Sequence, residues 1–181
     1  MVSRILPVIF FIALGLVMAW PAADAQAQGH GGGRDTLFQY DANHPAYRDI
    51  QREDSLGRDH IDGPVDYGTE FPTSGPHNPS PIPPGFYNDP LPSERLVHSM
   101  EHGNIIVYYD APSDPAMNLI RGWTDQYQGA WDGVIAVRHE DLGEKVVLTA
   151  WQHRLELPKM DVRASFFVDA FRGRGPENRV R

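Results

Sequence analysis

The stretch SERLVHSMEHGNIIVYYD, Ser93 to Asp110, decides how the chain is read. Its first part is either helix or strand, and the choice sets which side chains meet. At about 100° per residue, with Leu96 at zero, Met100 falls at about 40° and Val97 at about 100°, an apolar stripe. Glu101, His98 and His102 fall at about 140°, 200° and 240°, a separate polar face. As a strand, the alternation instead puts His98, Met100 and His102 on one face, a soft donor set suited to copper. Ser93 as a cap, the apolar pair Leu96 and Met100, and Gly103 as a left-handed stop favour a helix through Glu94 to His102. Met100 is then core rather than ligand. The β-branched and aromatic run IIVYYD (Ile105 to Asp110) reads as a buried strand.

Working outward, Asp114 followed by Pro115 starts a helix whose Leu119, Ile120, Trp123 and Tyr127 share one face until Gly129. GVIAVRH (Gly133 to His139) and KVVLTAWQH (Lys145 to His153) read as two strands of a hairpin joined through EDLGE. Asp161 caps a last helix, with Phe166, Phe167, Ala170 and Phe171 facing inward and Gly173 at its end. Helix, strand, helix, strand, strand, helix predicts an α+β single domain. Its small mixed sheet has a parallel pair from the strand–helix–strand crossover, an added antiparallel strand, and helices packed on it. This order overlaps the back half of a thioredoxin-like fold, an overlap without functional weight in a chain that has no cysteine. Upstream, PTSGPHNPSPIPPGFYNDPLP (Pro72 to Pro92) holds eight prolines, each fixing its own φ and pushing its predecessor towards extended backbone. It is too long for an ordinary connector, and Phe71, Phe86 and Tyr87 mark it as a segment wrapped onto the domain.

The chain has 181 residues, and 16 basic against 24 acidic side chains give a formal charge of -8. No basic stripe is present, which argues against a nucleic-acid partner. One early charge, Arg4, precedes an uncharged, mostly apolar run from Ile5 to Trp20, shorter than the roughly 20 residues of a bilayer span. Small residues at Ala23-Asp24-Ala25 and Ala25-Gln26-Ala27 then suit a signal peptidase. Residues 1–27 are accordingly expected to be a cleaved signal, and the mature protein periplasmic or secreted, without a membrane span; an uncleaved anchor is the other reading. Residues 28–61, with GHGGGRD near their start, are expected to be flexible or loosely packed, residues 62–177 to form the globular domain, and residues 178–181 a tail. With no cysteine, the roughly 155 residues left after cleavage depend on a packed core rather than on disulfides. Thiol catalysis and zinc–thiolate sites are excluded, so any metal is held by His, Asp, Glu, Met or backbone groups.

Histidines four apart on a helix converge on one ion, and the neighbouring carboxylate of Glu101 serves as a further ligand or orients one. Two imidazoles do not close a site. His77, on a loop stiffened by Pro76 and Pro79, is the first candidate for a third donor, followed by His153 and then Asp66 or Glu70. His139 reads as a surface or strand-end residue, and His44 and His60 sit in sequence without pattern and receive no role. HSMEH also matches H-x-x-E-H, in which the glutamate activates a zinc-bound water, although Gly103 ends this helix directly after the motif. Were the signal cut after Ala27, the new terminus Gln28-Gly29-His30 would chelate Cu(II) in a square plane.

PTSGPHNP, GFYNDPLPSERLVHSMEHGNIIVYYD, LTAWQH and FRGRGPE together resemble the bacterial domain of unknown function 3105 family, from about Asp62 to Glu177. The resemblance implies an exported or membrane-anchored protein and singles out His77, His98, Glu101, His102 and Gly103. It includes Trp151, read as a core aromatic on a strand, and Arg172 and Glu177, read as a pair locking the C-terminal end; its usual leucine at position 100 argues against a methionine ligand. Three functions follow: a copper- or zinc-binding protein using His77, His98, His102 and Glu101; a metal-dependent hydrolase with Glu101 as base; and a structural or interaction domain without metal, its protein partner unspecified.

Overall fold

The computed structural model describes residues 45–181. The signal, its cleavage points, the Gln28-Gly29-His30 chelate and His44 lie outside the described residues. After a 3₁₀ turn at Pro45–Tyr47, the elements run β1 (Ile50–Arg52), β2 (Gly85–Tyr87), α1 (Ser93–His102), β3 (Ile105–Tyr109), α2 (Asp114–Gln126), β4 (Val134–Arg138), β5 (Val146–Ala150), β6 (His153–Leu157) and α3 (Val162–Phe171). The fold is α+β, with a six-stranded mixed sheet in the order β1-β6-β5-β3-β4-β2.

The five β3 residues Ile105–Tyr109 are all buried, because the sheet is covered on both faces. Ile105, Val107 and Tyr109 join Ile120 and Trp123 of α2 and Ala164, Phe167, Val168, Ala170 and Phe171 of α3. Ile106 and Tyr108 face the other way, onto Leu96, Val97 and Met100 of α1 and onto Phe71 and Ile82 of the proline-rich segment. Met100 is fully buried in that second cluster, so its thioether is core.

The crossover is as expected: β3, α2 and β4 make a parallel pair. The expected hairpin is not formed. β4 and β5 both pair with β3, on opposite sides, and the KVVLTAWQH run breaks at Trp151 and Gln152, where Gln152 takes φ 59. The tight antiparallel hairpin is β5–β6, with Ala150 opposite His153. Trp151 therefore sits half-buried in a turn rather than in a strand. Two residues expected inside are exposed, Leu119 at 37 % and Phe166 at 38 %. α2 turns Ala116, Ile120 and Trp123 inward instead, and α3 turns Ala164 and Val168 inward beside Phe167. Asp161 caps α3 as expected, its carboxylate accepting from the Arg163 amide at 2.9 Å. Ser93 does not cap α1, which begins after Pro92 without a side-chain cap bond.

Residues 50–61 are built into the molecule. β1 pairs antiparallel with β6, and His60 forms a parallel bridge with His77. The proline-rich segment gives one short strand, β2, parallel to β4. Elsewhere it lies against α1, whose side chains both donate to and accept from its backbone. Arg95 donates through Nε to the Ser80 carbonyl and through Nη2 to that of Pro81, both at 2.9 Å. The Ser99 hydroxyl accepts from the Ile82 amide at 2.9 Å, and the Glu94 carboxylate accepts from the Val65 amide at 2.9 Å. No described helix is long and apolar enough to cross a membrane.

Candidate metal centre

The end of α1 gathers the histidines. Gly103 takes φ 107, its amide bonding the Met100 carbonyl, and so stops the helix directly after His102. The C-terminal segment closes over that end. The Gly173 amide donates to the Gly103 carbonyl at 2.8 Å, and the Glu177 amide to the Glu101 carbonyl at 3.3 Å. These bonds satisfy carbonyls that a helix terminus otherwise leaves open. The approach is backbone to backbone. A Cβ on Gly175 would fall 2.1 Å from the Glu101 carbonyl oxygen, and one on Gly103 would fall 2.8 Å from the Gly175 nitrogen.

His77 is completely buried on its loop, with Nδ1 2.8 Å from the Gly75 carbonyl. A carbonyl only accepts, so Nδ1 carries the proton, and in the neutral ring the lone pair is on Nε2. That lone pair faces Glu101 Oε2 at 3.1 Å. Two acceptors meet there unless a proton or a metal cation lies between them. His98 is fixed in the same manner, with Nδ1 donating to the Asn78 carbonyl at 2.8 Å. Burial lowers its pKa; the bond to Asn78 opposes this, and the neighbouring His102, His77 and His60 lower it further. The neutral ring so favoured keeps the lone pair on Nε2. This atom lies 3.0 Å from His102 Nε2, which in turn lies 3.1 Å from Glu177 Oε2.

His60, given no role by its sequence context, belongs to the cluster. Its ring stacks on His98 at a centroid distance of 4.9 Å and stands edge-on to His77 at 5.0 Å, and its Nε2 is 3.8 Å from Glu101 Oε2. No local pattern flags it; its place depends on the bridge to His77, a contact between separate loops. Trp131, also without a sequence role, stacks on His102 at 4.0 Å. Glu177 meets His102 and not Arg172, whose Nη1 bonds the Asp132 carboxylate at 2.7 Å and the Asp132 carbonyl at 2.8 Å.

Among the described residues two trios place their donor atoms within 4.8 Å of one another: His60, His77 and His98, and His98, His102 and Glu177. Of the expected ligands, His98 belongs to both trios, His77 and His102 fall in different ones, and Glu101 belongs to neither, although its Oε2 lies 3.1 Å from His77 Nε2. The other candidates lie apart from both. His153 donates from Nδ1 to the Trp151 carbonyl at 2.8 Å and stacks on Phe171 at 4.3 Å. Asp66 accepts from the Gly68 amide in an exposed turn, Glu70 is exposed, and His139 packs on Phe71 at 4.9 Å.

A tetrahedral ion with metal–nitrogen bonds of about 2.0–2.1 Å separates its donors by roughly 3.3 Å. The facing pairs, at 3.0 and 3.1 Å, are within a few tenths of that spacing. Neutral imidazoles held through Nδ1 to carbonyls, with Nε2 inward and a carboxylate beside them, have the chemistry of a site for a borderline divalent or monovalent ion. No curated protein and no solved structure matches the chain. One family does, over residues 60–181, from the cluster's first histidine through its last carboxylate: the chain belongs to the family described as protein of unknown function DUF3105.

Proposed function

We propose that the protein is an exported metal-binding protein, taking copper or zinc at the histidine cluster where the proline-rich loop meets α1. The observation that carries this reading is the fixed pair of tautomers. His77 and His98 each commit Nδ1–H to a backbone carbonyl and turn Nε2 into the cluster, where the first meets a carboxylate at 3.1 Å. A cation makes that contact attractive and gives the buried Glu101 a partner of opposite charge. Export rests on the Ile5 to Trp20 run and the small residues after it.

A second reading is a clamp without metal. The bonds from His98 to Asn78 and from Ser99 to Ile82 tie loop to helix by themselves, and a proton between His77 and Glu101 would add a third tie. One experiment separates the two. The protein is expressed with its leader, purified from the exported fraction without a chelating tag, and its metal content is measured by mass spectrometry beside His98→Ala/His102→Ala. About one copper or zinc per chain, lost in the double variant, supports the metal reading. No metal in either, even after copper or zinc is added, leaves the clamp. If metal is bound, Glu101→Gln tests hydrolysis: a metal-retaining variant that loses a hydrolytic activity of the wild type would assign Glu101 as a base.

A further inference from the structure

The two trios share His98. Its Nδ1–H is committed to the Asn78 carbonyl at 2.8 Å, so Nε2 is its one available donor. A single lone pair binds a single ion, and imidazole bridges two ions only when both of its nitrogens are free. The two donor sets are therefore alternatives. The sets also differ in kind. The first holds three imidazoles, with Glu101 against His77; the second holds two imidazoles and the Glu177 carboxylate. Each has an exposed member, the His60 side chain at 50 % and that of Glu177 at 44 %, while His77 is sealed at 0 %.

We infer that the cluster is a two-position relay: one ion at a time steps between His60/His77/His98 and His98/His102/Glu177, keeping its bond to His98 throughout. This rests on the metal reading above and adds a second site to it. In the step the bonds to His60 and His77 break and those to His102 and Glu177 form, with no change in the oxidation state of the ion. The ion is never released as an aqua complex. Because Glu177 is held by the C-terminal segment and His60 by the bridge to His77, the two exposed members belong to different parts of the chain. An ion could then be received at one and passed on at the other.

The test uses the full chain with Cu(II) alone as probe, measuring stoichiometry by equilibrium dialysis and coordination by electron paramagnetic resonance. The variants are His60→Ala/His77→Gln, His102→Ala/Glu177→Gln and His98→Ala. The relay predicts one ion per wild-type chain and one in each paired variant, with two different copper spectra. His98→Ala should bind at least about 100-fold more weakly, since it removes a ligand from both sets. Two ions per chain, counted in protein carrying His30→Ala so that a Gln28-Gly29-His30 terminus cannot hold copper, would overturn the relay in favour of independent sites. So would a natively folded paired variant that binds none, since only one position would then exist. No ion in the wild type would defeat the metal reading itself, a separable result. Should His77→Gln disturb folding by circular dichroism, the exposed His60→Ala serves instead. It must shift the copper spectrum towards that of the second set, and an unchanged spectrum counts against the relay.

Discussion

Ser99 shows how much one hydroxyl carries in this molecule. Fully buried, it accepts from the Ile82 amide at 2.9 Å and lies within bonding distance of two carbonyls, those of Ile82 and Arg95. Ser99→Ala leaves a buried amide without a partner, an expected loss of about 1–3 kcal/mol, read as a lower urea midpoint with unchanged slope. The donors around it were legible to unequal degrees. His98, Glu101 and His102 follow from the helical period, because all three lie on one face of one short helix. His77 follows from a stiff loop next to that helix. His60 and Glu177 do not follow, because each arrives through backbone bonds between distant segments, and neither segment has a period to extrapolate. The Arg172–Glu177 pairing failed for the same reason: opposite charges near in sequence took different tertiary partners, Asp132 and His102.

Among the elements, the helices follow from the sequence more closely than the strand pairing does. A five-residue connection with glycine fits a hairpin, yet β4 is parallel to β3 and β5 antiparallel to it. The chain leaving β4 therefore steps across the end of β3 to enter β5, a span of about 10 Å at roughly 4.8 Å per strand, which a short loop covers easily. Nothing in the letters distinguishes the two. The turn at Trp151 and Gln152 was hidden because the left-handed position holds glutamine, not glycine. Gly103, by contrast, takes the left-handed position that a glycine after the last helical residue announces, and its role is testable. Gly103→Ala should destabilise by at least about 1–2 kcal/mol from the positive φ alone. Its Cβ would also press on the Gly175 nitrogen and the Trp131 carbonyl oxygen, both at 2.8 Å. A thermal melt would register the loss, and a melting temperature within a degree of wild type would contradict it.

For the molecule as a whole, stability and pH are linked through two histidines. His98 and His153 are both lowered from the ordinary 6.5, chiefly by burial. The unfolded chain thus takes up protons at a pH where the folded chain does not. In metal-free protein their contribution is complete above about 6.5 and is lost as pH falls through their folded values. Urea unfolding from pH 8 down to 5 should show that decline, and His153→Gln should reduce its slope; a flat profile would argue against it. Core substitution acts on a larger scale. Phe167→Ala, in the cluster between β3, α2 and α3, should cost about 3–5 kcal/mol by denaturant titration.

The contact of Gly175 with the end of α1 also bears on time. A chain is made from its N-terminus, so His60, His77 and α1 exist before residues 173–177 that close over them. Until those residues arrive, the Glu101 and Gly103 carbonyls lack their amide partners and His102 lacks its carboxylate. The second donor set is then completed only after the first exists, and a nascent chain stopped before Gly173 could offer an ion only the first.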